Sequence, residues 1–299
     1  MPLAPHHRRR RAGALALLAV LALLAGAVAG AGSSKRNAPI ERPAVSPSSW
    51  LGRIRTLAGS GAGSMAVAEA AAERRAIDRT LAYTPFVRVA GSQHREVALT
   101  FDDGPGPYTQ AIVNELVSLH APATFFEVGV EERYFHAGTA AIVAHGFPIG
   151  DHTETHAPMS QLSRKQQQRQ LLSQAAAVGD YGAPFPRLFR PPYGDWNATT
   201  LSLLHRYRML MVLWTVDTSD YQLPGTNVIV SRALAGAKPG AIILLHDAGG
   251  DRAETVAALP RIVRGLRARG YRLVTVPKLL LDNPAPRQQD VTSLVGAGG

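Results

Sequence analysis

An α/β fold with mostly parallel strands is predicted for this chain by two observations. From residue 84 onward, short apolar runs alternate with longer amphipathic segments, and the apolar runs end on polar, chemically versatile residues. Strands alternating with helices put the helices outside a parallel sheet. Seven or so such units suggest a closed or nearly closed barrel, and in such barrels the working residues sit at the C-terminal ends of the strands. The first observation sets the architecture, and the second says where to look for chemistry.

Taken in order, residues 1–32 carry four arginines at 8–11 followed by a charge-free stretch of Ala, Leu, Val and Gly. That is the pattern of an export signal, and the small residues at 27–31 suit a signal peptidase. The stretch is also about as long as the ~20 residues that span a bilayer, so an uncleaved membrane anchor is the other reading. In both cases the arginines hold the N-terminus inside and predict an extracytoplasmic location, membrane-anchored or secreted to the cell wall. Residues 33–83 read as a flexible spacer rich in Ser, Pro, Gly, Ala and Arg. Within it, 65–81 has helix-forming content and either packs on the domain or serves as a stalk.

The main domain is assigned to 84–281. Its strands are predicted at 97–101, 123–128, 148–151, 188–190, 209–216, 241–246 and 272–276, each a short apolar run. The first, Val-Ala-Leu-Thr-Phe, is halted by Gly104-Pro105-Gly106-Pro107, and the sixth ends four aliphatic residues on His246. Helices are predicted between them at 108–120, 139–145, 163–178, 198–207, 228–235 and 254–268, where the pattern is amphipathic. Residues 282–299, with Asn283-Pro284-Ala285-Pro286 and a Gly-rich end, lack a core-forming pattern and are predicted to be a disordered tail.

At 46% hydrophobic and 18% charged, the composition is globular. The net charge of +10 falls to 28 basic against 22 acidic residues once the four arginines at 8–11 are set aside. That excess favours an anionic polymer or surface, but with no aromatic-basic RNA motif or helix-turn-helix signature it does not point to nucleic acid. The absence of Cys excludes disulfides and thiolate metal sites, so any metal must be held by His and carboxylate.

Asp102 and Asp103 follow the first strand directly. A lone acidic pair is ordinarily solvated, yet two carboxylates at the mouth of a buried strand need a cation or a shared proton. His152 and His156, after the third strand, converge if helical or if folded in a tight loop, and neutral imidazoles are common zinc ligands. Glu does not directly follow the first His, so this is not the zincin motif. With Asp103 they make a two-His, one-Asp set that leaves positions open for water and substrate. Arg190 can clamp Asp102 bidentately, and the stiff Pro191-Pro192 turn helps the Tyr193 N–H face an oxyanion. Asp220 can hold and charge His246, which makes it a general acid. Any one of these features is as readily structural; their recurrence at successive strand ends is what carries weight.

Together these pieces resemble the polysaccharide deacetylase family, carbohydrate esterase family 4, with its NodB homology domain. The matching segments are TFDDGP at 100–105, H-x3-H at 152–156, RPPYG at 190–194, DTSDY at 217–221 and LLH at 244–246, in the family's order over roughly 95–280. The resemblance implies a distorted (β/α) barrel and a metal-dependent N-deacetylase of N-acetylhexosamine polymers. It implies Asp103, His152 and His156 as metal ligands, Asp102 as general base tethered by Arg190, and His246 as acid oriented by Asp220. It further implies an oxyanion contact from the Tyr193 N–H and an acetyl pocket formed in part by Leu244. Tyr221 stands where many members have Trp, a smaller face for sugar stacking. Zn²⁺ suits the ligands, as does Co²⁺ or another divalent ion. The expected partner is an acetylated polysaccharide, whether peptidoglycan, chitin oligomers or another glycan. A non-catalytic wall-binding protein with a metal-stabilised fold is the competing reading, although a binder has no need of both base and acid.

Overall fold

The computed structural model describes residues 61–290, so the predicted signal or anchor at 1–32, the spacer up to residue 60 and the last part of the predicted tail, 291–299, lie outside the described residues. Among those described are the strands β1 (Phe86–Val87), β2 (Glu96–Gly104), β3 (Ala123–Glu127), β4 (Ile149–Asp151), β5 (Leu188–Phe189), β6 (Leu210–Val212), β7 (Val216–Asp217), β8 (Ala241–His246) and β9 (Arg272–Leu273). The α-helices are α1 (Gly61–Leu81), α2 (Thr109–Ser118), α3 (Gly129–Tyr134), α4 (His136–Ala144), α5 (Arg164–Gly179), α6 (Ala198–Tyr207), α7 (Thr226–Ala235), α8 (Ala253–Ala268) and α9 (Val276–Asp282). None of these helices is long and apolar enough to cross a membrane.

The strands form one sheet in the order β1-β6-β5-β4-β3-β2-β8-β7, with β9 beside the start of β2, and every ladder is parallel. Bonds outside the ladders join the two ends of that order. Arg88 Nε donates to Trp214 O (3.2 Å), Thr215 Oγ1 to Arg88 O (3.2 Å) and Ala90 N to Gly240 O (2.9 Å). The sheet therefore curls on itself as the distorted barrel that the sequence predicts.

Buried on both faces, β2 reads as a nearly continuous apolar run. Val97, Leu99 and Phe101 point outward into a layer with Ile112, Val113 and Leu116 of α2 and with Ile262, Val263 and Leu266 of α8. Ala98 points the other way, joining Phe126, Leu188, Val212 and Ile242 in the barrel interior. Each buried Val, Leu, Ile or Phe among these contributes about 1.5–3 kcal/mol relative to exposure. Because the strand has a period of two, Thr100 and Asp102 follow Ala98 inward. This phase aims the first acid of the pair into the barrel.

Four predicted features need correction. The strand count rises from about seven to nine, because the pair of residues in β1 is too short to register as an apolar run and the run at 209–216 is divided. Leu213, Trp214 and Thr215 leave β5 and β1 on one side to reach β8 on the other, so β6 and β7 lie at opposite ends of the sheet order. Residues 272–276 give a strand of only two residues, since the Thr275 hydroxyl caps α9 by accepting from Lys278 N (3.2 Å) and Pro277 suits its first turn. The predicted disordered tail does not hold for 283–290. Buried Asn283 accepts from His94 N (2.6 Å) and donates to Glu96 (2.8 Å), and Gln289 Oε1 accepts from Arg88 N and Val89 N. The run at 65–81 becomes α1, which begins at Gly61, and its Ala76 and Ile77 pack against Leu279 and Leu280 of α9.

The helices outside β3 and β4 cover a polar layer. Glu127 and Asp151 are register partners, both fully buried, and Glu132 of α3 lies beside them with Gln174 Nε2 donating to it (2.8 Å). Burial, together with the neighbouring Asp151 and against the pull of the Gln174 amide, pushes Glu132 up to about 8. Its folded pKa lies above its ordinary value, so between about pH 4.5 and 8 the folded state binds more protons than the unfolded, and stability falls as pH rises. Glu132→Gln mimics the protonated form. It is expected to raise the thermal midpoint at pH 8–9 and to leave it near wild type at pH 5. An equal difference at both pH values would overturn this assignment.

Candidate active site

The C-terminal ends of β2, β4, β5 and β8 and the turn after β7 converge on one group of polar side chains. In a regular strand Asp102 and Asp103 would point to opposite faces. Here the register between β2 and β3 shifts between Asp102 and Gly104, and Asp103 takes a left-handed backbone (φ 71°). Such a bulge re-aims a side chain. It brings Asp103 round to the face that Asp102 already occupies.

Arg190, one residue beyond β5, is fully buried. Its Nη1 donates to Asp102 Oδ1 (2.7 Å) and Thr100 Oγ1 (2.9 Å), its Nε donates to Val212 O (3.0 Å), and the guanidinium lies 4.2 Å from the Phe126 ring centre. Burial lowers the Arg190 pKa, and the Asp102 charge works against that. The ion pair is tolerated inside the barrel because nearly all of its polar atoms are bonded.

After β4 the chain forms a tight loop rather than a helix, which decides between the two local readings of the histidine pair. His152 Nε2 lies 3.4 Å and His156 Nε2 3.1 Å from Asp103 Oδ1. Asp102 Oδ2 is farther, 3.8 Å from His152 Nε2. The Nδ1 of His152 bonds to Arg190 O (2.7 Å) and that of His156 to Tyr193 Oη (3.1 Å), and the Nε2 of each ring faces Asp103. Burial would raise the Asp103 pKa, but the two imidazoles and the His246 charge hold its carboxyl well below the usual range.

Ligand atoms on a tetrahedral ion bonded at ~2.0–2.2 Å lie roughly 3.3–3.6 Å apart. Asp103 Oδ1 lies 3.4 and 3.1 Å from the two imidazole Nε2 atoms, close to that spacing, and the N,N,O chemistry of the group suits a borderline divalent ion. Among the described residues this is the group that meets the geometric test for a metal site.

Asp102 and His246 are register partners on β2 and β8, so their side chains leave the same face of adjacent strands. Asp220 is fully buried and bonds His246 twice, to Nδ1 (2.7 Å) and to the backbone N (2.9 Å), while also accepting from Thr255 Oγ1 (2.8 Å). Burial opposes the charge on His246, yet Asp220, with smaller contributions from Asp103 and Asp102, raises its pKa to about 9. A cation on Asp103 would withdraw part of the carboxylate contribution. Leu244 lies two residues before His246 on the same face of β8 and is buried. Tyr221 packs edge-on to the His246 ring at 5.2 Å and Tyr193 edge-on to His156 at 4.6 Å; they are 41% and 70% exposed.

Sequence reasoning passed over Asp247 and Gly249. Fully buried, Asp247 accepts from the Thr109 hydroxyl, donates its backbone N to Asp102 O (3.1 Å) and fills the space where a side chain at Gly104 would lie. Burial and the charges of Asp103 and Asp102, against the Thr109 bond, push its pKa up to about 7. Gly249 (φ 74°) abuts the Asp103 carboxylate, which a Cβ would strike. An acid next to the histidine that ends the aliphatic run, with Gly-Gly two residues on, was the available signal.

With this geometry in hand, known proteins give the context. A model of the polysaccharide deacetylase family matches residues 90–212. A peptidoglycan-N-acetylglucosamine deacetylase of Bacillus cereus is 36% identical over 187 residues, covering 62% of this chain and 87% of the relative. The chain belongs to the polysaccharide deacetylase family. A second member, a chitooligosaccharide deacetylase of Sinorhizobium fredii, is 35% identical over 67% of this chain and 99% of its own length. Among solved structures, a family 4 carbohydrate esterase from Streptomyces lividans in complex with acetate superposes with a TM-score of 0.58 at 34% identity, covering 62% of this chain and 95% of that one. As a polysaccharide deacetylase the protein is a hydrolase of carbon–nitrogen bonds other than peptide bonds.

Proposed function

We propose that the protein is a metal-dependent N-deacetylase that hydrolyses the acetamide of N-acetylglucosamine units in a cell-wall polysaccharide or chitin-like oligomer, releasing acetate. One observation carries this reading. A carboxylate tethered by a buried arginine and a histidine charged by a buried aspartate stand on adjacent strands beside an N,N,O ligand set. A glycan-binding role would use neither proton-transfer group.

Asp103, His152 and His156 would hold the ion, Zn²⁺ most simply, with Co²⁺ or another divalent ion also suited. When bound, it supplies Lewis acidity toward the amide carbonyl and lowers the pKa of a water. Asp102 takes the proton of the attacking water. Arg190 keeps its carboxylate oriented, since Nη1 donates to Oδ1 and leaves Oδ2 on the side of His152. The Tyr193 N–H donates to the carbonyl oxygen as negative charge develops there. His246 bonds Asp220 through Nδ1, so the proton it gives the departing nitrogen comes from Nε2. Carbon–nitrogen cleavage then leaves acetate and a free amine. Leu244 lines the space for the acetyl methyl group, and Tyr221 and Tyr193 offer flat faces to the sugars.

The basic balance of the chain and its arginine-led N-terminus support action outside the cytoplasm on an anionic wall. The test is acetate release by the purified protein from N-acetylglucosamine oligomers and from peptidoglycan. Release is expected to stop with a chelator and return with Zn²⁺ or Co²⁺. No acetate from any of several acetylated glycans, with metal supplied, would sink the proposal.

A further inference from the structure

The two histidines of the ligand set are held very differently. His152 is buried, and its Nδ1 meets a backbone carbonyl, Arg190 O, at 2.7 Å. The side chain of His156 is 28% exposed, and its Nδ1 meets a phenol, Tyr193 Oη, at 3.1 Å. For His156 Nε2 to ligate an ion held jointly with Asp103, the ring proton must sit on Nδ1. The Nδ1–H therefore donates to the phenol oxygen, and the phenol's own hydrogen stays free to turn toward the groove. From this we infer that Tyr193 is the positioning residue for His156, fixing its tautomer and ring orientation through the hydroxyl. The inference rests on the metal reading given above.

Tyr193 is well placed for this task. The two prolines before it stiffen the chain, its backbone is left-handed (φ 60°, ψ 9°), and Gly194 N and Asp195 N close the turn on Pro191 O and Pro192 O at 3.0 and 2.9 Å. Asp195 Oδ2 in turn accepts from Ser160 N (2.8 Å), tying this turn to the segment that follows His156. The edge-on ring contact with His156, at an interplanar angle of 69°, holds the phenol over the imidazole without covering its Nε2. Outer partners of this kind typically set metal affinity by 10- to 100-fold.

Tyr193→Phe removes the hydroxyl and keeps the ring, at a side chain exposed enough that folding does not depend on it. The measurements are Zn²⁺ affinity by competition with a chromophoric chelator and the visible bands of the Co²⁺-loaded protein. Wild type and His156→Ala are run beside the variant, with thermal unfolding of the metal-free proteins as the folding control. The expected result is Zn²⁺ binding weakened by about 10- to 100-fold, shifted Co²⁺ bands and an unchanged metal-free midpoint. Affinity and Co²⁺ bands equal to wild type would overturn the inference alone. A wild type that binds neither ion would overturn the metal reading, and this inference with it.

Discussion

Asp102→Asn is expected to lower kcat for acetate release by about 10²- to 10⁴-fold, the usual worth of a positioned proton-transfer group. At about 1.4 kcal/mol per tenfold, that is roughly 3–5.5 kcal/mol of barrier. The substitution isolates the proton transfer. Asn keeps an oxygen for Arg190 Nη1 and the same volume inside the barrel, and Asp102 is not one of the three grouped ligand residues. Zn²⁺ affinity should therefore change far less than turnover, whereas Asp103→Asn should lose both. Turnover within tenfold of wild type would remove Asp102 from the role of base.

Arg190→Ala is expected to be the most destabilising single change in the barrel, by about 3–5 kcal/mol, read as a lower urea midpoint at pH 7. It strips Asp102 of its buried counter-charge. It also frees Thr100 Oγ1 and Val212 O from their bonds to Arg190 and opens a cavity against Phe126. A loss below about 1 kcal/mol, within the range of an exposed ion pair, would mean that water replaces the guanidinium and that the interior is less dry than its burial implies.

Much of the site was legible because each working residue closes an apolar run. In a parallel sheet all such ends lie on one side, so Asp102, His152, Arg190 and His246 could be grouped before any geometry was known. Asp103 was harder to read. Period-two logic sends it to the opposite face from Asp102, and the bulge that returns it leaves no mark in a sequence where every neighbouring position is buried. The split of 209–216 was hidden for a related reason. Met209 to Leu213 and Val216 are all buried, so hydrophobicity stays high while hydrogen-bond partners change from β5 to β8. Residues 283–290 bind through the carboxamides of Asn283 and Gln289 and through backbone atoms, none of which registers as hydrophobic patterning. Asp247 escaped because it acts by filling space beside Gly104 and bonding Thr109, across a sequence separation of 138.

Asp103, Thr153, His156, Tyr193 and Ser219 all have left-handed backbones at the mouth of the barrel, although none is glycine. Each such residue costs of order 1 kcal/mol or more, sustained by the surrounding bonds: Thr153 N to Asp151 Oδ1, Gly129 N to Thr153 O, Ser219 N to Asp217 Oδ1. The rim is thus a mould set by the chain rather than a clasp closed by its ion. A mould accepts different ions of similar size with little rearrangement, and it tolerates few alternative side chains. Selection between metals would then fall to whichever ion the surroundings supply, while drift in sequence at these five positions is confined to residues whose backbones bend that way.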